Sequence, residues 1–135
     1  MDKPFEDHGL FSWCELMTKD FDSSMAFYNK VLGWTLREVP GRNNSRYALV
    51  MNENSSEPFA GLLTMPEQLE KSGAPSFWQA YVTVENVDQT LATALEHGAD
   101  TVLPPMDIER IGRIAAFRDP QGAVMSVITY QRDNK

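Results

Sequence analysis

The sequence predicts an α+β fold made of two tandem βαβββ modules, and three observations carry that prediction. The stretch Asp20–Trp34 (DFDSSMAFYNKVLGW) reads as a capped amphipathic helix held between two extended segments. The same punctuation of cap, apolar stripe and glycine returns at Asn86–Gly98, with Asn86 lying 66 residues beyond Asp20. After each helix, short apolar runs alternate with turns rich in Gly, Pro and Asn, as strands joined by hairpins do.

Taken in order, residues 1–9 read as a loose lead-in ending at Gly9. Leu10–Thr18 reads as a strand, with Trp13, Glu15 and Met17 on one face and Cys14 and Leu16 on the other. Asp20 can accept backbone N–H bonds as an N-cap. Phe21, Met25, Tyr28 and Leu32 then share one face of a helix over about 21–32, and Gly33 takes the C′ position. Strands are expected at Thr35–Val39, Arg46–Met51 and Phe59–Met65, with Gly61 a candidate bulge. The polar loop Arg42–Ser45 and the turn Asn52–Pro58 separate them. Pro66–Pro75 leaves the sheet through a short helical turn at Glu67–Glu70 and reads as the linker between modules.

The second module opens with a strand at Phe77–Val84. Asn86 and Gln89 form a capping-box-like pair, Val87, Leu91, Ala94 and Leu95 supply the stripe, and Gly98 ends the helix. Thr101–Leu103 is expected to stop at Pro104-Pro105, since proline removes ladder donors. Strands at Ile111–Arg118 and Ala123–Tyr130 flank Asp119-Pro120-Gln121-Gly122, a turn with Pro at i+1 and Gly at i+3. The modules thus cover about 10–65 and 76–130 of a single domain spanning 1–135.

Composition narrows the function. A chain of 135 residues with net charge −7 and pI near 4.7 lacks the basic surface that nucleic acid or an anionic membrane requires. No apolar run approaches the roughly 18 residues of a membrane-spanning helix. Met1–His8 is acidic and polar, unlike a secretory leader, so a cytoplasmic location is expected. Cys14 is the sole cysteine, which leaves no internal disulfide or cysteine-based zinc site, and it reads as a buried small hydrophobe.

Several of these residues together resemble the vicinal oxygen chelate superfamily, which includes glyoxalase I, extradiol dioxygenases and the fosfomycin and bleomycin resistance proteins. They are Asp20, Ser24, Phe27-Tyr28 and Leu32-Gly33 in the first half. In the second they are Val84, Asn86-Val87-Asp88 and the run Phe117-Arg118-Asp119-Pro120-Gln121-Gly122. The resemblance covers about residues 10–130 and implies a cup-shaped mixed sheet with the helices outside. It also implies where metal ligands would stand. One lies seven residues before each cap, here Trp13 and Gln79, and another four residues after the glycine of D-P-x-G, here Ser126. The first-half counterpart of Ser126 falls within Phe59–Met65, which has no charged or imidazole side chain. Divalent metals favour imidazole and carboxylate donors, so no metal site and no cofactor are expected, with a divalent ion recruited through Glu15 as the rescue. His8 and His97 read as surface histidines.

Strand alternation then lines the implied cup with Trp13, Glu15 and Met17, with Gln79, Tyr81 and Thr83, and with Val124, Ser126 and Ile128. Aromatic and apolar walls with few polar groups suit a small-molecule pocket, although the same side chains could simply fill it. Glu15 is the candidate catalytic residue, because a carboxyl beside Trp13 and Met17 should have a raised pKa. Its bland alternative is an ion pair with Arg46 or Arg113. Trp13, Met17, Gln79, Tyr81 and Ser126 are the candidate ligand contacts, Phe77 and Trp78 read as core, and Arg118 reads as a solvated charge. Three functions follow: a metal-free binder of a small apolar or aromatic molecule, a lyase, isomerase or dioxygenase-like enzyme using Glu15, or a structural domain without ligand. The modules are expected to pack within one chain, and a homodimer stays open.

Overall fold

The computed structural model describes residues 3–41, 45–108 and 111–131. Parts of the expected loops at Arg42–Ser45 and Met106–Gly112 and of the polar tail lie outside these residues. The elements run α1 (Lys3–Glu6), β1 (Phe11–Thr18), α2 (Phe21–Leu32), β2 (Thr35–Val39), β3 (Tyr47–Met51) and β4 (Ala60–Thr64). They continue with α3 (Glu67–Lys71), β5 (Phe77–Thr83), α4 (Val87–Glu96), β6 (Asp100–Ile108), β7 (Gly112–Arg118) and β8 (Val124–Tyr130). The α+β class and the repeated strand–helix–three-strand order follow the sequence reading. The chain divides into two compact units, one of Trp13–Gln79 and the other of Met1–Ser12 with Ala80–Lys135.

In the Trp13–Gln79 unit the strand order is β2-β3-β4-β1, with β1 parallel to β4 and the other neighbours antiparallel. Asp20 caps α2 by accepting from the Ser23 amide at 3.1 Å, and Gly33 ends it at φ +71°, a left-handed turn that glycine enters without cost. Leu16, Phe21, Ala48 and Leu62 form the core between helix and sheet, and Met25, Tyr28 and Leu36 pack against it. Leu32, placed on the same stripe by its spacing, is 53% exposed, so α2 buries only its earlier turns.

The other unit orders its strands β5-β8-β7-β6, again with a parallel pair, β5 and β8, beside antiparallel neighbours. Asn86 caps α4 through the Gln89 amide at 3.0 Å, and Val84, Val87, Leu91, Ala115 and Val127 make its core. Two expectations fail here. The lead-in is tied down: the Gly9 amide donates to Thr83 at 2.7 Å, the Thr83 hydroxyl donates to the Pro4 carbonyl, and Phe5 meets the Tyr130 ring edge-on. The strand at Thr101 also passes through Pro104-Pro105 as part of β6. It is the outer strand of its sheet and shifts register on both sides of Leu103, which accommodates residues that cannot donate.

One device recurs in both units. Arg46 makes two bonds to Glu38 and one to Asp22, all at 2.9 Å, while its guanidinium sits 4.3 Å above the Phe21 ring. Arg113 makes two bonds to Asp88 and one to Asp107, all at 3.0 Å. Asp22 and Asp88 each stand in the first turn of their helix.

Candidate functional site

Alternation along β1 decides which residues face the helix and which face away. Leu16 enters the core beneath α2, so Trp13, Glu15 and Met17 lie on the opposite face. Glu15 is only 8% exposed, and burial of a carboxyl is tolerable only where donors meet it. One donor is Tyr47, whose phenol gives its proton to Glu15 Oε2 at 2.6 Å. Trp13 Nε1 in turn donates to the Tyr47 oxygen across a longer 3.3 Å. Arg46 and Arg113, the alternative partners, are committed to other carboxylates.

Gly61 makes this arrangement possible. It stands opposite Glu15 in the β1–β4 pairing and opposite Leu49 in the β3–β4 pairing, without a register shift, so it is no bulge. A Cβ at 61 would come 2.0 Å from the Tyr47 hydroxyl and 2.6 Å from its Cζ, inside any permitted contact. The missing side chain is the space the phenol occupies. Sequence reasoning passed over Tyr47, because a tyrosine opening a strand gives no sign of the carboxyl it meets from another strand.

The remaining candidates sort as follows. Met17 is half-buried on the face of β1 that carries Glu15, and Gln79 is buried on β5. Tyr81 and Ser126 are both buried and stand opposite each other in the β5–β8 pairing. Cys14 is half-buried, and burial pushes its thiol above the usual range. His8 and His97 are exposed, as expected, with His8 Nδ1 accepting from the Glu85 amide at 3.0 Å. Trp78 departs from its expected place in the core: it is 37% exposed and meets Tyr28 and Trp34 edge-on in a surface aromatic cluster. Two open depressions lie on other surfaces of the Trp13–Gln79 unit, one of about 410 Å³ beside Phe27, Tyr28 and Trp78. The other, of about 730 Å³, is lined by residues 35–37 and 51–56.

The strand registers also test the implied metal positions. Glu15 is to Gly61 as Tyr81 is to Ser126, each pair joining the first and last strands of its sheet. Gly61 is therefore the first-half counterpart of Ser126. The four positions hold an indole, an amide, a hydroxyl and no side chain at all. None of the four supplies the carboxylate, imidazole or thiolate that zinc and related divalent ions chiefly take, and a neutral amide and a hydroxyl are weak ligands by themselves. Among the described residues no three His, Cys, Asp or Glu side chains gather closely enough to hold a metal.

Comparison with known proteins extends this geometry. Residues 10–127 match the family model of the Glyoxalase/Bleomycin resistance protein/Dioxygenase superfamily. CFP32 of Mycobacterium tuberculosis, provisionally named a glyoxylase, is 34% identical over 122 residues, covering 89% of this chain and 44% of its own. The anthracycline biosynthesis protein DauV of a Streptomyces species is 26% identical over 129 residues, covering 88% and 46%. The chain thus spans less than half the length of these curated relatives. A crystal structure of methylmalonyl-CoA epimerase from Mycobacterium tuberculosis shares the fold, with a TM-score of 0.62 at 19% identity, covering 92% of this chain and 89% of that one.

Proposed function

The chain belongs to the Glyoxalase/Bleomycin resistance protein/Dioxygenase superfamily, and from that membership we propose that it binds a small apolar or aromatic molecule without a metal ion. The observation that carries the reading is the buried Glu15–Tyr47 hydrogen bond beside Trp13, with no carboxylate or imidazole at the expected metal positions Trp13, Gln79, Gly61 and Ser126. Trp13 and Met17 supply apolar contact, Gln79 a buried amide, and Glu15 with Tyr47 the polar anchor. Tyr81 and Ser126 are assigned the same role within their own unit. We read 1–135 as one glyoxalase-like domain, with a homodimer compatible with that reading. A relative named for anthracycline biosynthesis is in keeping with an aromatic ligand.

A thermal-shift screen of aromatic compounds tests the proposal, with Trp13→Ala as control. Compounds that raise the melting temperature of the wild type should lose that effect in the variant. Hits that persist unchanged in Trp13→Ala would place the ligand elsewhere and sink the assignment.

A second reading has Glu15 as general acid or base of a lyase, isomerase or dioxygenase-like reaction. It is favoured by the same buried carboxyl and by the glyoxylase name of a relative. Metal analysis of protein purified without chelators separates the two. A stoichiometric divalent ion lost in Glu15→Gln would replace the metal-free reading with this one.

A further inference from the structure

We propose that the face of the Trp13–Gln79 unit turned toward α2 carries a second small-molecule site, a depression of about 410 Å³ that takes an uncharged, flat aromatic ring bearing a hydroxyl or carbonyl oxygen. It is separate from the Glu15 face and does not depend on the reading given there.

Strand parity sets the two faces apart. Leu16 and Thr18 alternate with Glu15 and Met17 along β1, so they lie on the other side of the sheet. Both are buried and belong to the lining of the depression. Phe27 lines it from α2 and Trp78 from β5, yet these large rings are 55% and 37% exposed. They are held in place by other rings. Phe27 meets Tyr28 edge-on at 5.0 Å, and Tyr28 stacks on Trp34 at 5.6 Å with only 21° between the planes. Trp78 meets Tyr28 and Trp34 edge-on at 5.5 and 5.9 Å, and its Nε1 donates to the Tyr28 hydroxyl at 3.3 Å. Contiguous apolar surface of this kind marks a binding site, and an ordered wall spares a ligand the entropy of arranging it.

The chemistry of the lining selects the class of ligand. None of the nine described residues around the depression is charged, in a chain with 23% charged residues. A charged ligand would leave water for walls that offer no countercharge. Ser23 and Ser76 bring hydroxyls, which can both donate and accept. Ser76 Oγ is positioned by accepting from the Lys19 amide at 3.0 Å. Aromatic walls for the ring and hydroxyls for one oxygen define the ligand. The buried floor and a volume within the roughly 300–1,000 Å³ of ligand pockets favour a small molecule over a protein partner.

The test titrates 2-naphthol calorimetrically into Trp13→Ala, where the Glu15 face is disabled, and into Trp13→Ala combined with Trp78→Ala or with Phe27→Ala. Melting temperatures establish that each variant is folded. Binding should persist in Trp13→Ala and weaken at least about tenfold in either double variant, the loss of one ring contact sufficing for that ratio. Trp78→Phe, which keeps a ring, should recover part of it. 2-Naphthoate should bind Trp13→Ala at least about tenfold more weakly than the naphthol, because its charge finds no partner. Absence of naphthol binding to Trp13→Ala would overturn the proposal, and binding to the wild type alone would leave the Glu15-face reading standing. Naphthoate binding as tightly as the naphthol would also overturn it. So would sedimentation showing a dimer that Trp78→Ala dissolves, since the face would then be a contact between copies.

Discussion

Tyr47 gives its phenolic proton to Glu15 across 2.6 Å, joining residues 32 apart in sequence on the face of the sheet turned away from its helix. The pair is a buried polar contact beside Trp13, so its removal should be felt in stability as well as in binding.

Tyr47→Phe keeps the ring and deletes the donor, leaving the buried carboxyl without that bond. Loss of about 1–3 kcal/mol in unfolding free energy is expected, the usual penalty for depriving a buried group of its partner. Urea denaturation of the two proteins measures it. A loss within experimental error of zero would mean that the bond contributes nothing to the fold.

Gly61→Ala should cost about 1–3 kcal/mol through overpacking, because its new Cβ would lie 2.0 Å from the Tyr47 hydroxyl. In a Tyr47→Ala background the obstacle is gone and the same substitution should cost much less. A double-mutant cycle reads the coupling. Equal costs in both backgrounds would show that Gly61 is kept for some other reason.

Arg46 holds the Asp22 and Glu38 carboxyls below their usual range, chiefly through its hydrogen bonds. Groups whose folded values lie below their unfolded ones add stability that is complete above about pH 5, past the unfolded values, and disappears as pH falls through the lowered values. Arg46→Met preserves cover over Phe21 while removing the charge. In that variant both carboxyls should titrate at ordinary values by NMR, and its stability deficit against wild type should shrink on acidification. A deficit independent of pH would assign the arginine a packing role only.

The thiol of Cys14 is raised chiefly by burial, so less of it is thiolate at neutral pH than in a free cysteine. Iodoacetamide should alkylate the folded chain several-fold more slowly than the urea-unfolded chain at pH 7.5. Equal rates would identify an exposed, reactive sulfur.

Much of the fold was legible because local signals agreed with one another. Asp20 and Asn86 cap the helices they were expected to cap, and Gly33 takes the left-handed turn. The errors share a cause, since each depended on a neighbour remote in sequence. Pro104 and Pro105 are harmless in β6 because that strand lies at an edge, which only the strand order reveals. Gly61 looked like a bulge because its reason, the Tyr47 hydroxyl, comes from β3. The candidate site was half legible. Period-two alternation placed Trp13, Glu15 and Met17 on one face, but the partner of Glu15 could not be read without the register. Arg46 and Arg113 illustrate the same limit: both were weighed as partners for Glu15, and both serve the helix starts instead.

The two arginine clamps also differ in how they divide their grip. Arg113 spends its paired bonds on Asp88 in the helix and its single bond on the strand residue Asp107. Arg46 does the reverse, with paired bonds to Glu38 in the strand and a single bond to Asp22 in the helix. A forked pair fixes orientation where a single bond allows pivoting. The first turn of α4 should therefore open less often than that of α2, and its amides should exchange with deuterium more slowly. A duplicated architecture would then carry unequal local mobility, with the looser helix start in the unit that holds Glu15 and Tyr47.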